Sequence, residues 1–136
     1  METVALDWEN IGLGSVGAEI ATLVFGTMRR CEFDAERAAE LTQVVFAGCV
    51  AGLREAGWQG HVEHVRLGYT AAVALRWTLL ARTLRVLVEG APLLRTSQGR
   101  RLSSDQVARQ WVRLSEFLLD RAHEARRLAA DSLSAR

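Results

Sequence analysis

The stretch Thr3-Val4-Ala5-Leu6-Asp7-Trp8-Glu9-Asn10-Ile11-Gly12-Leu13-Gly14-Ser15-Val16-Gly17 decides how the rest of this 136-residue chain is read. Thr3 to Leu6 is a short β-leaning run with a charged residue on either side. Asp7 and Glu9 follow it, and Gly12, Gly14 and Gly17 then mark a loop. Ser15 offers an N-cap for a helix over residues 16–30, with Ile20, Leu23, Val24 and Met28 on one stripe. A strand that runs through glycines into a helix can open a parallel sheet, but only if later strands exist to extend it.

No later strand is found. Asp34 reads as the cap of a helix over 35–56, whose inward face is Ala38, Leu41, Val45, Gly48, Cys49 and Gly52. The small residues on that face predict close contact with a neighbouring helix, and Gly57 ends the helix as its C′ residue. A third, unbroken helix is predicted over 62–88, with Val65, Tyr69, Val73, Trp77, Leu80, Leu84 and Leu87 inward, stopping at Glu89-Gly90 before Pro92. Residues 97–101 form a polar turn. Ser103 and Gln106 match a capping box that opens a fourth helix to about residue 131, with Val107, Trp111, Leu114, Leu118, Ala122 and Ala125 buried. There is no internal repeat and no low-complexity segment.

The expected fold class is mainly α: one short N-terminal strand followed by about four helices. The chain reads as a single domain over 1–136, with 1–15 as strand and loop and 16–136 as the helical body. A lone strand leaves its backbone donors and acceptors unpaired. It therefore pairs with another chain, or the sequence is the C-terminal part of a larger domain.

Composition narrows the chemistry. Hydrophobic residues make up 49% and charged residues 24%, an ordinary globular balance. The net charge of +1 gives no electrostatic footprint for nucleic acid or an anionic membrane. All 17 basic residues are arginine, so no P-loop, Schiff-base or nucleotide-clamping lysine lies within these residues. Residues 67–88 are long and apolar enough to raise the question of a membrane span, but Arg76, Arg82 and Arg85 cost about 2.5–3.5 kcal/mol each near a bilayer centre. A soluble core helix is expected there. Two cysteines make no disulfide framework, nothing resembles a signal peptide, and a cytoplasmic location is expected.

Gly12-Leu13-Gly14-Ser15-Val16-Gly17 is a literal G-x-G-x-x-G, the fingerprint that seats a dinucleotide pyrophosphate at a helix N-terminus. Here Asp7 to Ile11 intervene between strand and first glycine, and no second strand carries the ribose-binding acid, so a dinucleotide site is not expected. Asp7 and Glu9 are better candidates. Residues i and i+2 of an extended segment point the same way, so the two carboxylates converge just past the strand, as a hard cation such as Mg²⁺ requires. The plain alternative is a solvated strand end.

Residues 7–21, Asp7-Trp8-Glu9 through the glycine loop to Glu19-Ile20-Ala21, resemble a segment of the aminoglycoside phosphotransferase and choline kinase-like family, without a gap. Leu67-Gly68-Tyr69 and the run Glu124 to Ala129 are compatible with it, and the helical remainder is similar to that family's C-terminal lobe. The resemblance implies that Asp7 is a metal-binding aspartate holding Mg²⁺ against ATP phosphates. Glu9 lies beside it, near the metal or the small-molecule acceptor, and Glu19 replaces a buried acid that supports the catalytic loop. Two departures stand out: glutamate for aspartate at 19, and Ser15-Val16 where aspartate-proline is common. The family's catalytic loop and its lysine-bearing nucleotide lobe precede Asp7, where this sequence has six residues. The resemblance thus implies the C-terminal lobe of an ATP-dependent small-molecule phosphotransferase, inactive by itself. The alternative is a non-catalytic helical module that self-associates or docks through exposed apolar surface.

The remaining features read as structural. His61 and His64 share a helix face but lack a third ligand at sensible spacing. His123 faces solvent. Cys31 and Cys49 are buried, inert thiols, and Trp77 and Trp111 are packing anchors. Arg121, Arg126 and Arg127 alternate with Asp120, Glu124 and Asp131 as a solvated, salt-bridged face.

Overall fold

A computed structural model of the chain describes residues 14–76, 78–90 and 94–134, with the side chains of 78–80 excepted. The predicted strand, Asp7, Glu9 and Gly12 lie outside the described residues, as do Pro92 and the side chains of Trp77 and Leu80.

Mainly-α architecture is what the chain adopts. Helix α1 is Ala18–Arg29, and a 3₁₀ turn at Ala35–Arg37 leads directly into α2, Ala38–Glu55. Helices α3, Val62–Ala74, and α4, Thr78–Glu89, follow. A two-residue antiparallel ribbon, β1 Leu94–Arg95 against β2 Arg101–Leu102, precedes the long α5, Ser104–Ser134. Helix α3 is the centre: it packs against α5 on one side and α1 on the other, while α2 leans on α1 and α4 on α5.

Several boundaries follow from local chemistry. The Ser103 hydroxyl accepts from the Gln106 N–H, and the Gln106 side chain accepts from the Ser103 N–H, so the capping box forms reciprocally. Asp34 accepts from the Glu36 N–H at 2.9 Å, as a cap should. Gly57, at φ +84°, closes α2 with two bonds, its own N–H to the Arg54 carbonyl and that of Trp58 to Leu53. Helix α1 ends with the same pair of bonds, from Cys31 to Met28 and from Glu32 to Thr27. There a cysteine at φ +57° takes the left-handed position.

The core runs through Ile20, Val24 and Met28 of α1, Val65, Tyr69 and Val73 of α3, and Val107, Trp111, Leu114 and Leu118 of α5. Three of the predicted faces need correction. Leu23 is exposed and Ala21 and Phe25 are buried in its stead, because α1 is enclosed by α2 and α3 together and its apolar arc is wide. Gly48 and Gly52 of α2 face open space, and a Cβ at either would touch nothing. They are not small for the sake of a close helix contact.

The third correction concerns the long helix. Residues 62–88 do not form one rod: the chain turns at Leu75-Arg76 and restarts at Thr78. No proline or glycine sits at the break. Arg76 is held against α1, donating to the Thr22 hydroxyl and lying over the Phe25 ring at 5.6 Å. An unbroken helix of this length would extend about 40 Å and carry its second half past the body. The turn instead lays α4 along α5. It also shifts the phase, so Thr83 and Val86 are buried while Leu84 and Leu87 are more than half exposed.

Gln110 of α5 ties these parts together. Its amide nitrogen donates to the carbonyls of Met28 and Phe33, and its oxygen accepts from the Ala35 N–H. The Trp111 indole donates to the Arg29 carbonyl alongside. Orphan groups at the end of α1 and the start of the 3₁₀ turn are thereby satisfied by α5. Replacing Gln110 with alanine strands two part-buried backbone groups, the Phe33 carbonyl and the Ala35 N–H, while the Met28 carbonyl keeps its bond from Cys31; the expected cost is about 2 kcal/mol. Chemical denaturation at neutral pH checks this, and a loss below about 0.5 kcal/mol contradicts it.

Candidate functional site

Asp7 and Glu9 lie outside the described residues, and the stretch that follows them joins the described body at one point. That point is the turn at 14–17, which leads into α1 and lies on α3. The N-cap of α1 is Gly17, at φ +95°, and not Ser15; no side chain caps the helix. A Cβ on Gly17 would stand 2.2 Å from the Val65 carbonyl oxygen, and one on Gly68 would stand 2.1 Å from the Val16 carbonyl oxygen. Two backbones approach so closely here that neither position admits a side chain. Gly17 therefore serves the close packing of the turn on α3. Glu19 is exposed on the first turn of α1, so any support it gives a loop comes from the surface and not from a buried carboxylate.

One residue from that contact, Arg66 of α3 reaches α5. Its guanidinium binds Glu124 in bidentate fashion, with the Nη2 contact at 3.0 Å, and Arg121 binds the same carboxylate. The two arginines lie over aromatic rings: Arg66 over Phe46 and Tyr69 at 5.3 and 5.5 Å, and Arg121 over Phe117 at 5.4 Å. Arg121, Glu124 and Arg66 are all less than a third exposed. The salt-bridged face expected around Arg121 is thus partly enclosed here, while Arg126 and Arg127 do face solvent. Beneath it the Tyr69 hydroxyl and the Thr42 hydroxyl are hydrogen-bonded at 3.0 Å, both buried.

Burial raises the Glu124 pKa, but the hydrogen bond from Arg66 and the charge of Arg121 outweigh it and leave it below the ordinary carboxylate value of 4.5. Burial pushes the Tyr69 phenol up, against the opposing pull of Thr42 and the two arginines. A depressed carboxylate stabilises the fold above its unfolded pKa, and that contribution is lost as pH falls through the folded value. The stability difference between the wild type and Glu124→Gln is therefore expected to be full at neutral pH and to shrink below about pH 4.5. Melting temperatures from pH 7 to pH 3 measure it, and a difference that persists undiminished at pH 3 contradicts the assignment.

A cleft of about 450 Å³ opens over this cluster, between α2 and α5. Phe46, Phe117, Ala39 and Ala47 form its apolar walls, and Arg66, Arg121, Thr42, Gln43 and Asp120 supply polar groups. The charge periodicity of α5 identifies Arg121 and Glu124 only as surface residues. What encloses them is α2, and no local pattern shows where α2 leans. A second, more polar cleft lies between the Cys31–Arg37 linker and α5. Cys31 sits there, buried, and desolvation pushes its thiol up despite the neighbouring Arg100, which fits the inert thiol expected of it.

His61 and His64 stack edge to face at 5.6 Å on the exposed start of α3, and His123 is exposed. Among the described residues no three His, Cys, Asp or Glu side chains are grouped so as to hold a metal ion, and no helix is long and apolar enough to cross a membrane. No family model, curated protein or solved structure matches the chain.

Proposed function

We propose that this chain is the C-terminal helical lobe of an ATP- and Mg²⁺-dependent phosphotransferase that acts on a hydroxyl of a small molecule such as an aminoglycoside or amino alcohol, in the cytoplasm. One observation supports the reading above others. The stretch 7–21 carries the resemblance, and 67–69 and 124–129 are compatible with it. The described end of the first stretch rests on α3 at Val65 and Gly68, and on the side of α3 that packs on α5 Arg66 holds Glu124 of the third. The turn that leads from the Asp7 segment into α1 is thus anchored by backbone-to-backbone packing. A carboxylate that must hold a metal against phosphate oxygens needs such a rigid mount.

In this reading Asp7 binds Mg²⁺, Glu9 lies beside it, and Glu19 braces the approach from the surface of α1. The metal neutralises phosphate charge during transfer, and the general base and the lysine that clamps the nucleotide come from the preceding part of the enzyme. The isolated 136 residues are expected to show no turnover. The partners are nucleotide and small-molecule acceptor, without nucleic acid or membrane.

The test is transfer of labelled γ-phosphate from ATP to a panel of aminoglycosides and amino alcohols. It uses the protein translated from the longest open reading frame that contains this sequence. Transfer that needs Mg²⁺ and stops with a chelator is expected. Failure to phosphorylate any hydroxyl acceptor, together with no binding of Mg²⁺-ATP, overturns the proposal.

A second reading has its own observation. Leu75 at the α3–α4 corner and Leu84, Leu87 and Val88 of α4 are exposed, and such surface seeks cover. A non-catalytic module that self-associates through α4 would stay dimeric at micromolar concentration in light scattering. A monomer there removes that reading.

A further inference from the structure

The cleft between α2 and α5 has a charge arrangement that the phosphotransferase reading does not use. At its floor two guanidinium groups, Arg66 and Arg121, share one carboxylate, Glu124, which leaves one positive charge in excess. Three N–H bonds to Glu124 occupy three of the ten donors the pair carries. The Nε of Arg121 is buried and has no hydrogen-bond partner among the described residues. At the rim stands Asp120, exposed and without an ion pair among the described residues. Between floor and rim lie the rings of Phe46 and Phe117 and the methyls of Ala39 and Ala47. The cleft is therefore neutral as a whole but polarised, positive within and negative at the mouth.

A simple anion gains at the floor and loses at the rim, and a simple cation does the reverse. A molecule whose own charges run the opposite way gains at both ends. We propose that this cleft binds a small zwitterion with an apolar body, an α-amino acid of aromatic or aliphatic side chain. The carboxylate faces Arg66 and Arg121, the ammonium faces Asp120, and the side chain lies between Phe46 and Phe117. Its volume of about 450 Å³ is in the range of small-molecule sites, which are apolar with a few convergent polar groups. The proposal does not rest on the phosphotransferase reading, and either can fail without the other.

The experiment uses the chain itself and follows amide NMR shifts of α2 and α5 during titration with four probes: L-phenylalanine, 3-phenylpropionate, phenethylamine and inorganic phosphate. Phenylalanine is expected to bind saturably, at least about tenfold more tightly than the two singly charged analogues, and phosphate not at all. Asp120→Asn should bring phenylalanine to within about threefold of phenylpropionate, because the charge it removes reads only the ammonium. Ala47→Phe, at an exposed position on the cleft wall, should fill the site and abolish binding while leaving the melting temperature unchanged. Phenylpropionate equal to phenylalanine in the wild type, shifts that survive Ala47→Phe, or no saturable binding of phenylalanine would each overturn the proposal.

Discussion

Replacing Gly68 with alanine is expected to destabilise the protein by about 3 kcal/mol and lower its melting temperature by about 10 °C. In an exposed helix interior the same change stabilises, because alanine is the better helix former by roughly 1 kcal/mol. The sign reverses at this position because the new methyl meets backbone: the Val16 carbonyl oxygen would lie 2.1 Å away, with the Ser15 hydroxyl at 3.2 Å. A backbone carbonyl cannot rotate aside as a side chain can, so the 14–17 turn must lift off α3. Gly17→Ala should cost as much or more, since it adds left-handed strain at φ +95° to a 2.2 Å approach to the Val65 carbonyl oxygen. Gly48→Ala on α2 is the control. It has open space around it and should be neutral or stabilising by up to about 1 kcal/mol. Differential scanning calorimetry of the three variants separates the cases. If Gly68→Ala melts with the wild type, the close approach of the turn to α3 is absent in solution.

On the proposed phosphotransferase reading, Asp7→Ala is expected to abolish turnover of the full enzyme, by at least about a thousandfold, without a change in melting temperature above about 2 °C. Phosphoryl transfer is catalysed by positioning and by neutralising charge that develops on phosphate oxygens, and a lost metal ligand removes both at once. Glu9→Gln should fall well short of this, because a neighbouring carboxylate tunes the metal or the acceptor and does not hold the ion in its place. Steady-state rates at saturating ATP, measured across Mg²⁺ concentrations, distinguish the two: Asp7→Ala should not be rescued by excess metal, and Glu9→Gln should be rescued in part. Retained turnover in Asp7→Ala takes that residue out of the mechanism. The two predictions are independent, since the glycine series reports how the segment is mounted and the aspartate reports what it carries.

Reading along the chain identified the candidate carboxylates but not their setting. Asp7 and Glu9 stand out by residue type and spacing alone. The cleft over Arg66, Arg121 and Glu124 does not, because its members come from α3 and α5 and are enclosed by a third helix. In a linear reading Arg121 and Glu124 are an ordinary i,i+3 pair on a polar helix face. Gly12, Gly14 and Gly17 matched a phosphate-binding spacing by pattern, whereas Gly17 answers to the backbone of a helix nearly fifty residues later.

Local chemistry settled what depends on neighbours within one turn of helix. The capping box at Ser103 and Gln106, the Asp34 cap, the Gly57 terminus and the buried stripe of α5 all follow from hydrogen-bond donors and side-chain periods that lie within a few residues of one another. Packing settled the rest. The break at Leu75-Arg76 has no proline or glycine to announce it, and arises because Arg76 is fastened to α1 while α4 must lie on α5. Periodicity specifies a helix and its apolar arc, but which part of that arc meets protein and which meets water depends on where the other helices stand. For that reason Leu23, Leu84 and Leu87 are exposed, Thr83 is buried, and two arginines on different helices share one carboxylate.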